Sequence, residues 1–253
     1  MIIDQDQRQG IELPEDRHWW FLSRTLAINA CLDPLKPAAP RVLDIGSGAG
    51  NMAHHLSRYG AVIGVDNNLK PLQVAWERGL CSLPASAANL PFATGTFGLV
   101  ALLDVLEHCP DDDAVIAEAY RVLQPGGLVV VTSPAFPWLW SYNDTANQHL
   151  RRYTKAGLRQ KLQFRGFQVV RLTYTYFLVF PAAAGLIFVR RLLGARPSIA
   201  TPAEDDAYQV EMEPVPSALN TILSLAGRAE AALLRRFSLP VGTAVLAVAR
   251  KPC

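Results

Sequence analysis

The sheet predicted for this chain begins in the stretch Val42-Leu43-Asp44-Ile45-Gly46-Ser47-Gly48-Ala49-Gly50. Its first four residues form a short apolar run typical of a strand, and a helical pattern follows the glycines up to Tyr59. Glycines at such a turn let the backbone approach a ligand where a Cβ atom would clash. The stretch therefore predicts a strand, a ligand-binding turn and a helix in direct succession.

Apolar runs and helical patterns continue to alternate beyond this turn, which indicates βαβ units and a parallel, doubly wound α/β sheet. Further strands are predicted at residues 61–65, 99–103, 128–132, 167–175 and 243–249. Helices are predicted from His18, from about Asp111, from near Thr154 and from Ser217 to about Phe237. We expect a helical lid (1–39), a Rossmann-like core (40–175 and 240–253) and an insertion between the last two strands (176–239).

Composition excludes a disordered or fibrous chain, because half of the 253 residues are hydrophobic and 18% are charged. No Gly/Ser-rich linker or repeat divides the sequence, so a single domain with an insertion is expected. The four cysteines lack the spacing of a disulfide framework or a zinc site, and no metal site is predicted. The N-terminus lacks the pattern of a signal peptide, so a cytoplasmic protein is expected.

An acidic residue, Asp66, ends the second predicted strand 22 positions after Asp44. In nucleotide-binding sheets an acid about 20 residues beyond the turn accepts hydrogen bonds from ribose hydroxyls. The spacing favours an adenosine-containing ligand. A dinucleotide fingerprint would need glycine where Asn51 stands, and Asp44 would repel a pyrophosphate. An NAD-dependent oxidoreductase is therefore kept only as the weaker alternative.

The chain resembles the class I S-adenosylmethionine-dependent methyltransferases, in the group that includes the ubiquinone-pathway enzymes. The motifs that carry the resemblance are VLDIGSGAG (42–50), GVD (64–66), NLPF (89–92), LDVLEH (103–108), RVLQPGGLVVVTSP (121–134) and GTAVLAVARK (242–251). They cover most of residues 40–134 and the last strand. The resemblance implies a seven-stranded, mostly parallel sheet with an antiparallel last strand, and S-adenosylmethionine as cofactor.

The resemblance also implies where this cofactor binds. The implied residues are Asp44, Gly46, Ser47, Gly48, Gly50, Asp66, Asn67, Ala87 and Asp104. Asp44 is implied to lie near the amino-acid end of the cofactor, and Asp66 at the ribose. Two positions depart from the family pattern: Ser86-Ala87-Ala88 replaces the acid that usually contacts the adenine amino group, and Gly98 replaces an aspartate. Adenine recognition is left open by the first departure.

A hydroxyl acceptor must lose a proton, and histidine is the usual base. His149 follows the fifth-strand region, whose loops face the ligand side of such sheets, and a similar segment occurs in ubiquinone-pathway O-methyltransferases. We expect His149 to be a general base or substrate orienter, and His108 to be a second catalytic residue or a lining of the cofactor cleft. The candidate substrate-binding residues are Trp19, Trp20, Tyr142, Arg152 and Tyr153.

Two of these assignments have structural alternatives. The adjacent tryptophans cannot share one narrow helix face, so they are expected to form a lid, with burial against the sheet edge as the alternative. Arg152 and Tyr153 are expected to bind a polar or anionic head group, with the anchoring of the following helix as the alternative.

Charge is distributed unevenly: residues 1–150 hold 9 basic and 16 acidic side chains, and residues 151–253 hold 15 and 6. Residues 145–203 contain ten Lys/Arg and no acid, which indicates an anionic partner or a solvated basic face. The apolar stretch 177–189 is too short to span a bilayer but has the arginine flanks of an interfacial anchor. The apolar stripe of the helix at 217–237 favours core packing over a membrane face.

These observations predict S-adenosylmethionine-dependent O-methylation of a hydrophobic or lipid-linked small molecule. The expected setting is cytoplasmic, peripheral on the inner face of a membrane, with an anionic membrane surface as partner. Nucleic acid is not expected as a partner, because the basic residues accompany an apolar insertion rather than a basic and aromatic groove. A catalytically silent, cofactor-binding scaffold is the alternative from another functional class.

Overall fold

A seven-stranded sheet forms the centre of the computed structural model, which describes residues 14–35, 37, 39–193 and 215–253. The strands are β1 (Arg41–Ile45), β2 (Ala61–Asp66), β3 (Ser82–Pro84), β4 (Phe97–Leu103), β5 (Leu123–Pro134), β6 (Gln168–Thr175) and β7 (Ala244–Arg250). They lie in the order β3-β2-β1-β4-β5-β7-β6. All strands run in the same direction except β7, which pairs antiparallel with both β5 and β6. The expected seven-stranded sheet with an antiparallel last strand is confirmed, although β3 was not predicted.

Helices cover both faces of this sheet. They are α1 (Pro14–Arg17), α2 (Trp19–Leu32), α3 (Ala53–Leu56), α4 (Leu69–Glu77), α5 (Asp112–Val122), α6 (Tyr142–Ala146), α7 (Lys155–Phe164), α8 (Phe180–Leu192) and α9 (Ser217–Leu234). Strand β4 is buried throughout, and its side chains alternate between two cores. Leu99 and Ala101 pack with residues of α2 and α9, whereas Val100 and Leu102 pack with residues of α5 and α7.

Local sequence signals explain where several helices begin and end. The Asp111 side chain accepts a hydrogen bond from the Ala114 N–H (2.9 Å) and caps α5. Thr154 caps α7 in the same way through Gly157 (3.1 Å). The helix expected up to Tyr59 is shorter than predicted, because α3 ends at Leu56. There the Ser57 hydroxyl donates to the carbonyl of His54 (2.6 Å), a local bond that competes with helix continuation.

The insertion between β6 and β7 contains α8 and α9, and the acidic loop at 204–213 lies outside the described residues. Helix α9 packs against α2 through the buried residues Ala231 and Leu234. The prediction that its apolar stripe packs in the core is wrong for most of the stripe residues, because Leu219, Ile222 and Leu233 are exposed. Glu230 is also buried, and its carboxylate accepts the backbone N–H groups of Tyr176 (2.5 Å) and Leu178 (3.3 Å) at the end of β6. Within the described ranges, no helix is both long and apolar enough to cross a bilayer.

The strand order creates one topological switch point, between β1 and β4. The chain leaves β1 toward β2 and β3 on one side, and leaves β4 toward β5 on the other. In open α/β sheets such a divergence opens a crevice outside the carboxyl ends of the strands, where ligands bind. The glycine turn after β1 and Asp104 after β4 both lie at this crevice.

Candidate functional site

The turn after β1 has a backbone conformation that requires glycine. Gly46, Gly48 and Gly50 all have positive φ angles, of 70°, 54° and 79°. At Gly46 an added Cβ atom would also lie 2.5 Å from a methyl group of Val105. The turn therefore passes close to the loop that follows β4. Its glycines expose backbone atoms to the crevice without covering side chains.

We expect Gly46→Ala to destabilise the protein by roughly 1–3 kcal/mol, through left-handed strain and the contact with Val105. Gly79→Ala is the matched control, because Gly79 has a similar φ of 72° and nothing within 4 Å of an added Cβ atom. Urea unfolding of both variants separates the two effects. Equal losses would show that the Val105 contact contributes nothing.

Asp44 is the buried anion of the crevice, with 2% of its surface exposed. Burial raises the pKa of its carboxyl to about 7, against the opposing effect of the Arg24 charge and with a further increase from Asp66. A carboxylate held at this pKa ionises most readily when a cation binds beside it. Asp44 is therefore suited to receive a cationic ligand group.

Arg24 lies across the crevice on α2, and the sequence analysis did not identify it. Its guanidinium pairs with Asp104 (2.9 Å), lies 4.8 Å from the centre of the Trp20 ring and is 7% exposed. Its Nε atom has no hydrogen-bond partner among the described residues. One feature of the sequence could have identified Arg24: it is the only charged residue among the apolar and small residues of α2.

Asp66, the last residue of β2, is hydrogen-bonded to the glycine turn. Its carboxylate accepts the backbone N–H of Gly48 (2.9 Å) and that of Asn68 (2.9 Å). Its oxygens have further lone pairs, so a ligand hydroxyl can still donate to them. Of the other residues implied to bind the cofactor, Asn67 is exposed after β2 and Ala87 is half-buried against the core. Their roles stay predictions.

A cleft of about 140 Å³ opens between the glycine turn and α2. Its lining residues are Phe21, Arg24, Asp44, Gly46, Ser47, Gly48, Ala49, Asn51, Met52 and Leu103. The hydroxyl of Ser47 is buried without a hydrogen-bond partner in the described part of the chain. Because an unsatisfied buried polar group costs about 1–3 kcal/mol, such a group indicates a ligand or ordered water. The cleft thus combines a buried anion and a buried cation.

A second polar cluster is centred on Asp144, which the sequence analysis also missed. This fully buried carboxylate receives hydrogen bonds from Arg152 (2.7 and 2.8 Å), from the Ser141 N–H (2.7 Å) and from Nδ1 of His149 (2.9 Å). Burial alone would raise its pKa, but the bonds from His149 and Arg152 outweigh burial and hold the pKa well below its usual range. Asp144 therefore fixes the ring of His149 and leaves Nε2 for a ligand or proton.

The structure brings His108 and Glu107 to His149. The two imidazoles are 4.8 Å apart, and burial, followed by the charge of His149, lowers the pKa of His108. Glu107 is buried, and burial together with Asp104 raises its pKa well above the usual value. Its Oε2 accepts the Ser133 hydroxyl (2.7 Å), whereas Oε1 has no partner among the described residues.

One ligand atom from each of Glu107, His108 and His149 lies within 4.8 Å of the others. A carboxylate and two imidazoles form a ligand set that suits divalent transition metals, and Asp144 would then orient the ligand His149. The sequence analysis predicted no metal site, because the three residues carry no recognisable motif spacing. They are also suited to accept and relay a proton.

The two tryptophans lie together over the end of β6. The Trp20 ring stacks on Tyr176 (6.0 Å between centroids, 6° between planes), and Trp19 meets the same ring edge-on at 6.0 Å. Trp20 also shields Arg24, as described above. Both side chains are half-buried, and their role as a lid over the crevice stays a prediction.

The remaining substrate candidates are engaged within the protein. Tyr153 is buried, and its hydroxyl donates to Asp112 (2.5 Å). Arg152 bonds to Asp144 and to the carbonyl of Ala135 (2.9 Å). The Tyr142 ring lies beneath the guanidinium of Arg190 (5.3 Å). These contacts favour the alternative in which Arg152 and Tyr153 anchor the loop, and their contact with an acceptor stays a prediction.

Backbone strain is concentrated in the loops at this edge of the sheet. The non-glycine residues with positive φ in the described ranges are Asp104, Phe136, Gln148 and Tyr176. Asp104, Phe136 and Tyr176 follow β4, β5 and β6, and Gln148 precedes His149. Such strain costs about 1–3 kcal/mol per residue and gathers at functional sites.

Part of the chain matches a known family of protein domains. Residues 43–131 match the model of a methyltransferase domain. The chain is 32% identical over 130 residues to a ubiquinone biosynthesis O-methyltransferase of Thiobacillus denitrificans, covering 47% of this chain and 50% of the relative. A second such enzyme, from Cupriavidus pinatubonensis, is 29% identical over 159 residues, 55% of this chain and 58% of its own. The chain spans about half the length of the curated relatives it matches.

Solved structures agree on the fold across nearly the whole chain. A methyltransferase of Thermotoga maritima, described as a possible histamine N-methyltransferase, aligns with a TM-score of 0.58 at 19% identity and covers 92% of this chain and 93% of its own. Phosphoethanolamine N-methyltransferase 2 of Haemonchus contortus aligns at 0.57 and 19% identity, over 91% of this chain and 52% of its own. The family match covers residues 43–131, and the solved structures, at 19% identity, support a Rossmann-like fold alone.

Proposed function

We propose that this protein transfers the methyl group of S-adenosylmethionine to an oxygen atom of a hydrophobic or lipid-linked acceptor. The observation that carries the proposal is the cleft beside the glycine turn, where a buried carboxylate and a buried guanidinium face one ligand space. The amino-acid end of S-adenosylmethionine bears both an ammonium and a carboxylate. The opposite charges of Asp44 and Arg24 are complementary to that pair.

The remaining cofactor contacts follow the same edge of the sheet. Asp66 would hold the ribose hydroxyls while it accepts the backbone N–H of Gly48. Asn67, after β2, and Ala87, after β3, would contact the rest of the cofactor. No acid stands at residues 86–88, so the adenine amino group would be recognised by other contacts there.

When bound, S-adenosylmethionine supplies an electrophilic methyl group on a sulfonium. Nε2 of His149 would remove the proton of the acceptor hydroxyl as its oxygen forms the new bond to carbon and the carbon–sulfur bond breaks. Asp144 supports this role because its carboxylate accepts from Nδ1 of His149, which leaves Nε2 to take the proton. His108 stands beside His149, and burial favours its neutral form. Alignment of acceptor and methyl group supplies much of the acceleration in such displacements.

The acceptor is proposed to be hydrophobic because an aromatic cluster follows β5 and is hydrogen-bonded through Phe136 to the loop that carries His149. Phe136, which follows β5, lies 4.6 Å from the ring of Tyr174 and 5.7 Å from that of Trp138. Trp19 and Trp20 add the cover over the crevice. We further propose that the protein acts in the cytoplasm, at the inner face of a membrane, where an acceptor of this kind would be located.

The proposal is tested by incubating purified protein, S-adenosylmethionine with a tritiated methyl group and a total cell extract, and then partitioning the label between organic and aqueous phases. Protein-dependent label in the organic phase is the expected result. Label confined to the aqueous phase would leave a methyltransferase but contradict the hydrophobic acceptor. Cofactor binding without any transfer would favour a silent scaffold.

A further inference from the structure

Helix α8 packs only lightly on the protein. None of its 13 residues is buried, although its sequence, FPAAAGLIFVRRL, is mostly apolar. The exposed large apolar residues of α8 and of the position after it are Leu186, Phe188, Val189, Leu192 and Leu193. We call these five residues the α8 surface. Phe188 is 62% exposed and Leu192 is 70% exposed, so both side chains are mostly in solvent. A helix of this composition is expected to have a partner for its apolar face.

The segment that leads into α8 and includes it is basic. Residues 145–193 contain nine lysines and arginines and no acid. The last turn of α8 itself carries Arg190 and Arg191. Arg190 lies over the Tyr142 ring, and Arg191 donates to the carbonyl of Trp140 (2.6 Å). These contacts fix the arginines at the edge of the apolar residues.

The first turn of α8 contacts the aromatic rings of the loop that follows β5. Phe180, in the first turn of α8, lies 6.2 Å from Phe136 and 6.1 Å from Trp138. Phe136 follows β5, and its backbone N–H donates to the carbonyl of Tyr153 (2.9 Å), in the loop that also carries His149. An apolar chain lying along these rings would lead from α8 toward the base.

We infer that the α8 surface docks on an anionic lipid bilayer, with α8 lying in the interface and its apolar side chains entering the acyl boundary. Exposed aliphatic and aromatic residues flanked by arginines, on a helix too short to span, are the properties of interfacial helices. Anionic headgroups would complement the basic half of the chain. The inference rests on the proposed function in one respect: a hydrophobic acceptor resides in a lipid phase, and α8 contacts the aromatic cluster beside the loop that carries His149.

The test is flotation of the full chain with vesicles of phosphatidylcholine alone, or of equal parts phosphatidylcholine and phosphatidylglycerol. We expect binding to the mixed vesicles at low salt, weaker binding at high salt, and little binding to phosphatidylcholine alone. Phe188→Gln combined with Leu192→Gln should lower the partition coefficient by about tenfold or more. Phe164→Gln is the matched control, because Phe164 is a 91% exposed phenylalanine on α7, outside the insertion, and it should bind as the unaltered protein does.

Absence of binding to mixed vesicles, or equal losses in the control and the α8 variant, would overturn the inference. So would self-association without lipid that the α8 variant abolishes, since a second copy would then be the occupant. The outcome is separate from that of the methyl-transfer assay, which is run on the extract with detergent. Vesicle binding without transfer would contradict the proposed function alone, and transfer without vesicle binding would contradict the docking alone.

Discussion

Replacing Asp44 with asparagine is expected to weaken S-adenosylmethionine binding by roughly 10- to 100-fold at pH 8 while making the unliganded protein more stable. The carboxylate would be lost as the partner of the cofactor ammonium. Because burial raises the folded-state pKa of Asp44 to about 7 from the ordinary value of 3.8, its ionisation costs stability as the pH rises through this interval. The cost is absent below about pH 4 and complete above about pH 7.

Calorimetric titration and chemical unfolding at pH 8 and pH 5 measure both effects. In the unaltered protein, affinity should fall as the pH drops below 7, because Asp44 must ionise to receive the ammonium. In Asp44→Asn this dependence should flatten, and a stabilisation of roughly 1–4 kcal/mol should be present at pH 8 and fall to less than about half of that value at pH 5. Asp113→Asn removes an exposed carboxylate and serves as the control. Unchanged affinity in Asp44→Asn would exclude the proposed contact.

Replacing His149 with glutamine is expected to lower kcat by about 10²- to 10⁴-fold, since that is the usual contribution of a positioned base. Glutamine can still bond to Asp144, so the loop and the ion pair with Arg152 should be retained. Cofactor affinity and the unfolding midpoint should therefore stay close to those of the unaltered protein. His54→Gln, an exposed position on α3, is the matched control.

The pH profile distinguishes a base from a structural histidine. At saturating cofactor, kcat of the unaltered enzyme should rise with pH as the base loses its proton, and this rise should vanish in His149→Gln. Unchanged kcat would contradict the assignment. Activity that a chelator abolishes and a divalent cation restores would instead make His149 a metal ligand beside Glu107 and His108.

The sequence predicted the features that depend on residues close together in the chain. The glycine turn, Asp44 before it and Asp66 at the next strand end lie within one βαβ unit, and such a unit has few possible geometries. The caps of α5 and α7 were predictable for the same reason. The missing strand, β3, is only three residues long and too short to show a pattern.

The residues that escaped prediction depend on contacts between distant elements. Arg24 is 80 positions from Asp104, and Asp112, the unpredicted partner of Tyr153, is 41 positions from it. In the sequence, Asp144 is one acid within a polar segment. Only the structure shows that it is buried and that it holds the ring of His149 by a hydrogen bond. Single-sequence patterns report burial along one element, whereas these pairs arise from how separate crossovers return to the same edge of the sheet.

The most direct test of the proposed reaction is the identity of the bond that forms. S-adenosylmethionine with an isotopically labelled methyl carbon is incubated with the protein and a cell extract, and the labelled product is examined by carbon–proton correlation spectroscopy. The proposal predicts a methoxy signal in the organic phase, absent with Asp44→Asn at limiting cofactor and strongly reduced with His149→Gln. A signal from a methyl group on nitrogen or carbon would contradict O-methylation and remove the role assigned to His149.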